Sequence, residues 1–300
     1  MILNAIHWNV DPVIFHIGSF GLRYYSLGFL FAFLCGYWIF TRIFEKEKVN
    51  VRYLDSLLVF IFIGVLAGAR LGHCLFYEPD YFCTSSHWTE IFWPFQNGHF
   101  TGFQGLASHG AAIGILLSIW LYERKYKLNG WWLLDRFVIV VALGGAFIRL
   151  GNLFNSEIYG VETTLPWGFI YERNGETVPK HPTQLYEALS YLVIFIVSYW
   201  YYCRKKGQFR TGGLFGWWLV ALFGVRLLIE FVKNDQVDFE AGMTLNMGQL
   251  LSLPFIVGGL VIAWLAHKEK FPQGPFPHGE VKAVTDKWKE KDKQEQQKKK

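Results

Sequence analysis

The chain has 300 residues, 52% of them apolar and 19% aromatic, and a formal net charge of +5 at neutral pH. Thirteen Trp, 15 Tyr and 28 Phe are too many for an ordinary soluble domain of this length, whereas Trp and Tyr suit bilayer interfaces, where an apolar ring and a polar tip are both accommodated. The basic excess does not mark a nucleic-acid binder, because ten of the 29 Lys and Arg lie in the last 33 positions and most others flank apolar segments. Cys35 and Cys74 fall in apolar runs, Cys83 in a loop and Cys203 at a helix end, with no CxxC pair. They read as packing residues rather than a disulfide framework or a metal site.

A transmembrane helix needs about 20 mostly apolar residues. Stretches of that kind follow one another at 20–41, 56–77, 104–122, 130–152, 184–203, 211–232 and 244–267. The expected fold is all-α: a polytopic integral membrane protein of about seven transmembrane helices. Residues 1–267 would form one bundle, with outer loops at 78–103 and 153–183. Residues 268–300, where Lys alternates with Glu and Asp, would form a disordered cytoplasmic tail.

Short-loop charge sets the orientation. Loops 42–54, 123–129 and 204–210 hold eleven Lys and Arg, and the opposite loops hold three, Arg173, Lys180 and Lys233. The N-terminus is therefore expected outside and the C-terminus in the cytoplasm. With a rise of about 1.5 Å per residue, each buried polar residue then takes a depth. Arg23 and Tyr25 lie at the outer end of the first helix, Arg70 near that of the second, His109 near that of the third, and Arg149 and Asn152 at that of the fourth. Gln184, Tyr186 and Glu187 open the fifth, Arg226 and Glu230 close the sixth, and Asn246 and Gln249 open the seventh. A charge in hydrocarbon costs several kcal/mol unless it is paired or hydrated, so this shared layer implies a buried polar cavity open to the outer leaflet. Its arginines suit an anionic ligand, because a guanidinium fork matches phosphate geometry.

Each residue also has a structural reading. Arg226 and Glu230, spaced i,i+4, can form an ion pair; His109 can bond between helices; Arg70 can pair with a carboxylate; Tyr25 can belong to an aromatic belt. Asp135 and Arg136, toward the cytoplasmic end of the fourth helix, read as structural.

The run Arg149-Leu-Gly-Asn-Leu-Phe-Asn-Ser-Glu-Ile-Tyr-Gly160 resembles the signature R-x-G-N-F-x-N-x-E-x-x-G of the prolipoprotein diacylglyceryl transferases. Arg149, Gly151, Asn152, Asn155, Glu157 and Gly160 all match it. Arg23, Tyr24 and Tyr25, the run from Gly68 to Gly72, the Ser108–Gly110 triplet, the run His181-Pro-Thr-Gln-Leu-Tyr-Glu187, and Arg226 with Glu230 agree in order. The resemblance covers roughly residues 10–265. Departures are Ile148 for a usual Gly, Leu153 for a usual Phe, Ala111 after His109 and Gly110, and Leu222 and Phe223 where the family often has a Tyr. None of them removes a charged group.

The resemblance implies transfer of the diacylglyceryl group of phosphatidylglycerol to the lipobox cysteine thiol of a prolipoprotein signal peptide, in the bacterial inner membrane and facing its outer leaflet. It implies catalytic roles for Arg149 and Arg226 at the phosphate and for His109 as the base. Substrate-binding roles fall to Tyr25, Arg70, Asn152, Asn155, Glu157, Gly160, Gln184 and Glu230, the last positioning Arg226. Neither a metal nor another cofactor is implied, since arginine can supply the phosphate electrostatics. The alternative from the residues alone is a transporter or channel for an anionic solute, though such proteins place sites near the midplane between repeated halves, and no internal repeat is present.

Overall fold

The computed structural model describes residues 5–17, 20–82, 91, 95–96, 99–100, 105, 107–234, 245–281, 286 and 288. Most of the expected outer loop 78–103, Cys83, the start of the third expected helix at Gln104 and the end of the tail lie outside the described residues. The elements in order are β1 (Ile6–Trp8), β2 (Val13–Ile17), β3 (Phe20–Arg23), α1 (Tyr24–Lys46), α2 (Val51–Phe76), α3 (Pro79–Phe82), β4 (Phe95–Gln96) and β5 (His99–Phe100). They continue with α4 (Ser108–Tyr126), α5 (Gly130–Phe154), β6 (Phe169–Tyr171), α6 (Thr183–Lys205), α7 (Gly213–Glu230) and α8 (Met247–His267).

Five of these helices, α1, α2, α5, α7 and α8, are long and apolar enough to cross a membrane. Only 17–39% of their most apolar stretches is buried inside the protein, so Phe29, Phe33 and Trp38 on α1 or Phe62 and Ile63 on α2 stand exposed. A water-soluble surface does not carry stripes of that extent; they are lipid-facing. The other two long helices fall short in composition. Glu123, Arg124 and Lys125 close α4, and α6 carries five tyrosines besides Gln184 and Glu187.

Two compact units are formed, one by Met1–Ile43 with Leu134–Pro272 and the other by Phe44–Leu133 with Gln273–Lys300. In the first, a hairpin of β2 and β3 leads into α1, and β1 pairs in parallel with β6. Small residues let the helices approach closely. A Cβ on Gly28 of α1 would lie 2.9 Å from the Phe147 carbonyl oxygen of α5, and one on Gly216 of α7 would lie 2.6 Å from the Ala263 nitrogen of α8. The first turn of α7 is capped from α5, where the Asp135 carboxylate accepts from Gly212 N at 2.7 Å and Phe215 N at 2.8 Å. Arg136 is buried beside it, donating to the Gly207 carbonyl at 2.9 Å. Both therefore stabilise the end of the unit where α6 passes into α7.

In the second unit α2 and α4 pack backbone to backbone. A Cβ on Gly68 would run into the Gly110 carbonyl oxygen, and one on Gly72 would lie 2.8 Å from the Gly110 Cα. Ser118 Oγ donates to the Phe60 carbonyl at 2.8 Å and Tyr122 OH to that of Tyr53 at 2.6 Å. Part of the segment after α8 lies on this unit: Asn129 donates to the Gly274 carbonyl at 2.9 Å, and the Phe276 ring centroid is 5.2 Å from that of Tyr53.

Candidate active site

The polar site of the first unit is assembled at the end of α5, the start of α6 and the end of α7. The signature run leaves α5 through a sharp bend in which Ser156 and Ile158 adopt left-handed φ of 55° and 60°. A β-branched side chain in that region is strained by about 1–3 kcal/mol and persists only when its surroundings over-determine it. Here three successive carbonyls are held by side chains. Asn174 donates to Ser156 O at 2.7 Å, Gln184 to Glu157 O at 2.6 Å, and Thr183 to Ile158 O at 2.8 Å. Gln184 is itself fixed by the Tyr171 hydroxyl at 3.1 Å, whose pKa burial pushes up. The run from His181 to Glu187 is thus the clamp for the signature bend. His181, its pKa lowered by burial, hydrogen-bonds the Tyr186 hydroxyl at 3.1 Å.

Gly160 ends the bend. Its N–H donates to the His181 carbonyl at 2.8 Å, and it bridges to Lys233 beyond α7. A Cβ there would run into the Val232 carbonyl oxygen, which is why the signature closes on glycine. At the other end of the run, a Cβ on Gly151 would lie 2.7 Å from the Tyr25 ring.

Inside this frame sits a charge cluster. Arg149 Nε lies 2.7 Å from the fully buried Glu187 Oε2, and its charge also acts on the Tyr191 hydroxyl, one turn further along α6. Its NH1 is 3.5 Å from Asn152 Oδ1. Asn152 donates to Glu157 Oε1 at 2.6 Å and Asn155 to the same oxygen at 3.2 Å. Lys233, with 1% of its side chain exposed, lies 3.8 Å from Glu187 and 3.4 Å from Glu230. Burial pushes the Lys233 ammonium below its ordinary pKa, and the two carboxylates oppose that shift. The charge of Arg226 acts on both Lys233 and Tyr191. Arg226 makes no ion pair or hydrogen bond of its own among the described residues; Glu230 turns instead to Lys233.

The first unit therefore brings together Tyr25, Arg149, Asn152, Asn155, Glu157, Gly160, Gln184, Arg226 and Glu230. The charges of Arg149 and Glu157 both act on Tyr25. Asn246 and Gln249 form a reciprocal capping box at the start of α8, and Gly248 abuts the Glu230 carboxyl, to which a Cβ would come within 2.5 Å. In the second unit, buried Arg70 donates from Nε to the Ile91 carbonyl at 2.8 Å and lies over the Phe82 ring at 4.8 Å. His109 is exposed in the first turn of α4.

Glu187 was expected in the polar layer without a role of its own, and Tyr191 and Lys233 were not expected there. One signal pointed to Tyr191: it is spaced i,i+4 from Glu187 on α6, one helical face; Lys233, beyond the end of α7, carried none.

A multi-pass helical membrane protein with two half-buried arginines beside buried carboxylates and a buried lysine at converging helix ends is equipped to bind an anion within the bilayer. The family model described as prolipoprotein diacylglyceryl transferase matches residues 12–265. A phosphatidylglycerol–prolipoprotein diacylglyceryl transferase of Tolumonas auensis is 43% identical over 266 residues, covering 88% of this chain and 99% of the relative. Proteins of the same name from Bacteroides fragilis and Porphyromonas gingivalis are 39% and 40% identical, covering 90% and 89% of this chain and 98% and 97% of the relatives. The chain belongs to the prolipoprotein diacylglyceryl transferase family.

Proposed function

We propose that this protein transfers the diacylglyceryl group of phosphatidylglycerol to a prolipoprotein cysteine, the first step of lipoprotein maturation. The acceptor thiolate forms a carbon–sulfur bond to the glyceryl carbon. The carbon–oxygen bond to phosphate breaks, its electron pair leaves on the phosphate oxygen as glycerol phosphate, and the thiol proton passes to a base. His109, exposed in the first turn of α4, is our candidate for that base. The reaction belongs to the outer leaflet of the bacterial inner membrane, in a bundle of about seven spans with the N-terminus outside. The eleven-to-three bias of basic loop residues supports that orientation.

The observation that carries the proposal is the unequal state of the two arginines. Arg149 is anchored through Nε to Glu187 at 2.7 Å, so its guanidinium is held in place before substrate arrives. Arg226 is uncommitted among the described residues yet close enough to feel the same cluster. A phosphodiester meeting both gains charge-assisted hydrogen bonds that strengthen as negative charge collects on the departing phosphate. Tyr25, Asn152, Asn155 and Glu157 shape the wall along the signature bend, and Gln184 and Gly160 hold that bend.

Lysine keeps the charge but not the planar fork. Arg149→Lys and Arg226→Lys are therefore expected to lose at least about tenfold in turnover of phosphatidylglycerol, toward the about 10²–10³-fold that loss of one preorganised donor costs. Arg136→Lys, remote from the cluster, is expected to lower thermal stability while leaving turnover per folded molecule near wild type. Normal turnover in both cluster variants would remove arginine geometry from the mechanism.

A further inference from the structure

A cleft of about 830 Å³ lies between the last turns of α6 and α8 and the first turns of α7. Its rim, at Arg210 and Gly213, lies at the opposite end of the 18-residue α7 from Glu230, a rise of about 27 Å, close to the roughly 30 Å thickness of a bilayer's hydrocarbon. The cleft therefore opens at the membrane face opposite the charge cluster. Val193, Val197, Ala221 and Ala263 supply apolar walls, and Lys205, Arg210 and His267 a cationic and polar rim.

Its chemistry changes sharply with depth. Trp200, Trp217 and Trp218 line the cleft where the apolar walls meet the rim, the level at which indoles settle in a bilayer. The Trp218 indole N–H is buried and has no hydrogen-bond partner among the described residues, a donor that a ligand oxygen would satisfy. At the rim, Arg210 reaches Glu269 Oε1 at 3.1 Å and His267 Nδ1 at 2.8 Å. Against that one carboxylate the cleft is lined by Lys205, which is exposed, as well as by Arg210 and His267. A soluble anion would leave the apolar walls unused, and a zwitterionic lipid would leave the excess positive charge unanswered.

We propose that this cleft binds an anionic phospholipid of that leaflet, its phosphate at Lys205, Arg210 and His267 and an acyl chain along Val197, Ala221 and Ala263. The lipid is separate from the donor at the charge cluster and would brace the junction of three helices at the far end of α7.

The test uses the purified protein in nanodiscs containing diazirine-tagged phosphatidylglycerol or phosphatidylcholine of the same acyl chains, without acceptor peptide. Crosslinked peptides are mapped by mass spectrometry, which separates this cleft from the charge cluster. The anionic lipid is expected to label the segments 193–218 and 263–267 at least about fivefold more than the zwitterionic one. Lys205→Gln should lower that labelling about fivefold, the ~1 kcal/mol that one basic side chain contributes near an anionic phosphate, while Lys205→Arg retains it. Labelling of peptides around Arg149 and the gel-filtration profile should not change in either variant. Equal labelling by the two lipids, or a Lys205→Gln protein labelled like wild type, overturns the assignment.

Discussion

Lys233 shares two carboxylates, Glu187 and Glu230, in a place where only 1% of its side chain meets solvent. Removing one partner from such a cluster leaves a buried charge uncompensated, at about 3–5 kcal/mol. Lys233→Met is expected to destabilise the protein on that scale in detergent, and Lys233→Arg much less; an unchanged melting temperature for the methionine variant would show that water already reaches the carboxylates. His109 poses the complementary question. A free thiol has a pKa of about 8.5, so a base at the acceptor contributes on the order of 10²–10⁴-fold near neutrality. His109→Gln keeps size and an amide but cannot take a proton. It should insert and bind donor normally and lose at least about tenfold in turnover, recovering in part as pH rises toward the thiol value. An unaltered pH profile would leave thiol activation to the arginines. The cationic residues Arg149 and Arg226 were legible in sequence because each sits at a helix end within a recognisable motif. The contacts of Arg149 with Glu187 and of Lys233 with Glu187 were not, because they join residues of different segments of the chain, and periodicity reports only which face a residue occupies.

At the level of elements, the signature bend depends on α6 as much as on its own residues. Three carbonyls in succession, from Ser156 to Ile158, are gripped by Asn174, Gln184 and Thr183. Gln184→Leu would strand the Glu157 carbonyl and the Tyr171 hydroxyl, a loss of about 1–3 kcal/mol per buried orphan. The expected readouts are faster proteolysis between 153 and 162 and lower turnover, with α6 itself still formed; proteolysis at the wild-type rate would mean the bend holds itself. The helix pair α2 and α4 is a separate case. Gly68→Ala places a Cβ against the Gly110 carbonyl oxygen, so the helices must part, and a destabilisation of about 1–3 kcal/mol is expected. The long helices were readable as apolar runs, but their ends moved. The third ends at Tyr126 rather than 122, since charged residues finish a helix as readily as they begin a loop. The strands β1 and β6 went unforeseen: at three residues each they are too short to show alternation.

For the whole molecule, composition pointed to a membrane protein, and the exposed apolar faces of α1 and α2 agree with it. Among the described residues, five helices meet both the length and the apolarity of a membrane span, and the count of seven belongs to the proposal. The tyrosines of α6 and the charged end of α4 make those helices ambiguous by composition alone. The proposed orientation rests on loop charge. Single cysteines engineered between 160 and 180 are expected to react with a membrane-impermeant maleimide in intact cells, and ones between 204 and 210 only after lysis; the reverse pattern would invert the topology and with it the leaflet of the charge cluster. The account as a whole rests on chemistry at that cluster, and one reconstitution tests it most directly. Purified protein is mixed with phosphatidylglycerol and a synthetic signal peptide bearing a lipobox cysteine, and the products are followed by mass spectrometry. Equal amounts of glycerol phosphate and of peptide carrying diacylglycerol through a thioether are expected from wild type, and neither from the Arg149→Lys, Arg226→Lys double variant. Binding of phosphatidylglycerol without either product, under conditions where a related transferase turns over, would contradict the account.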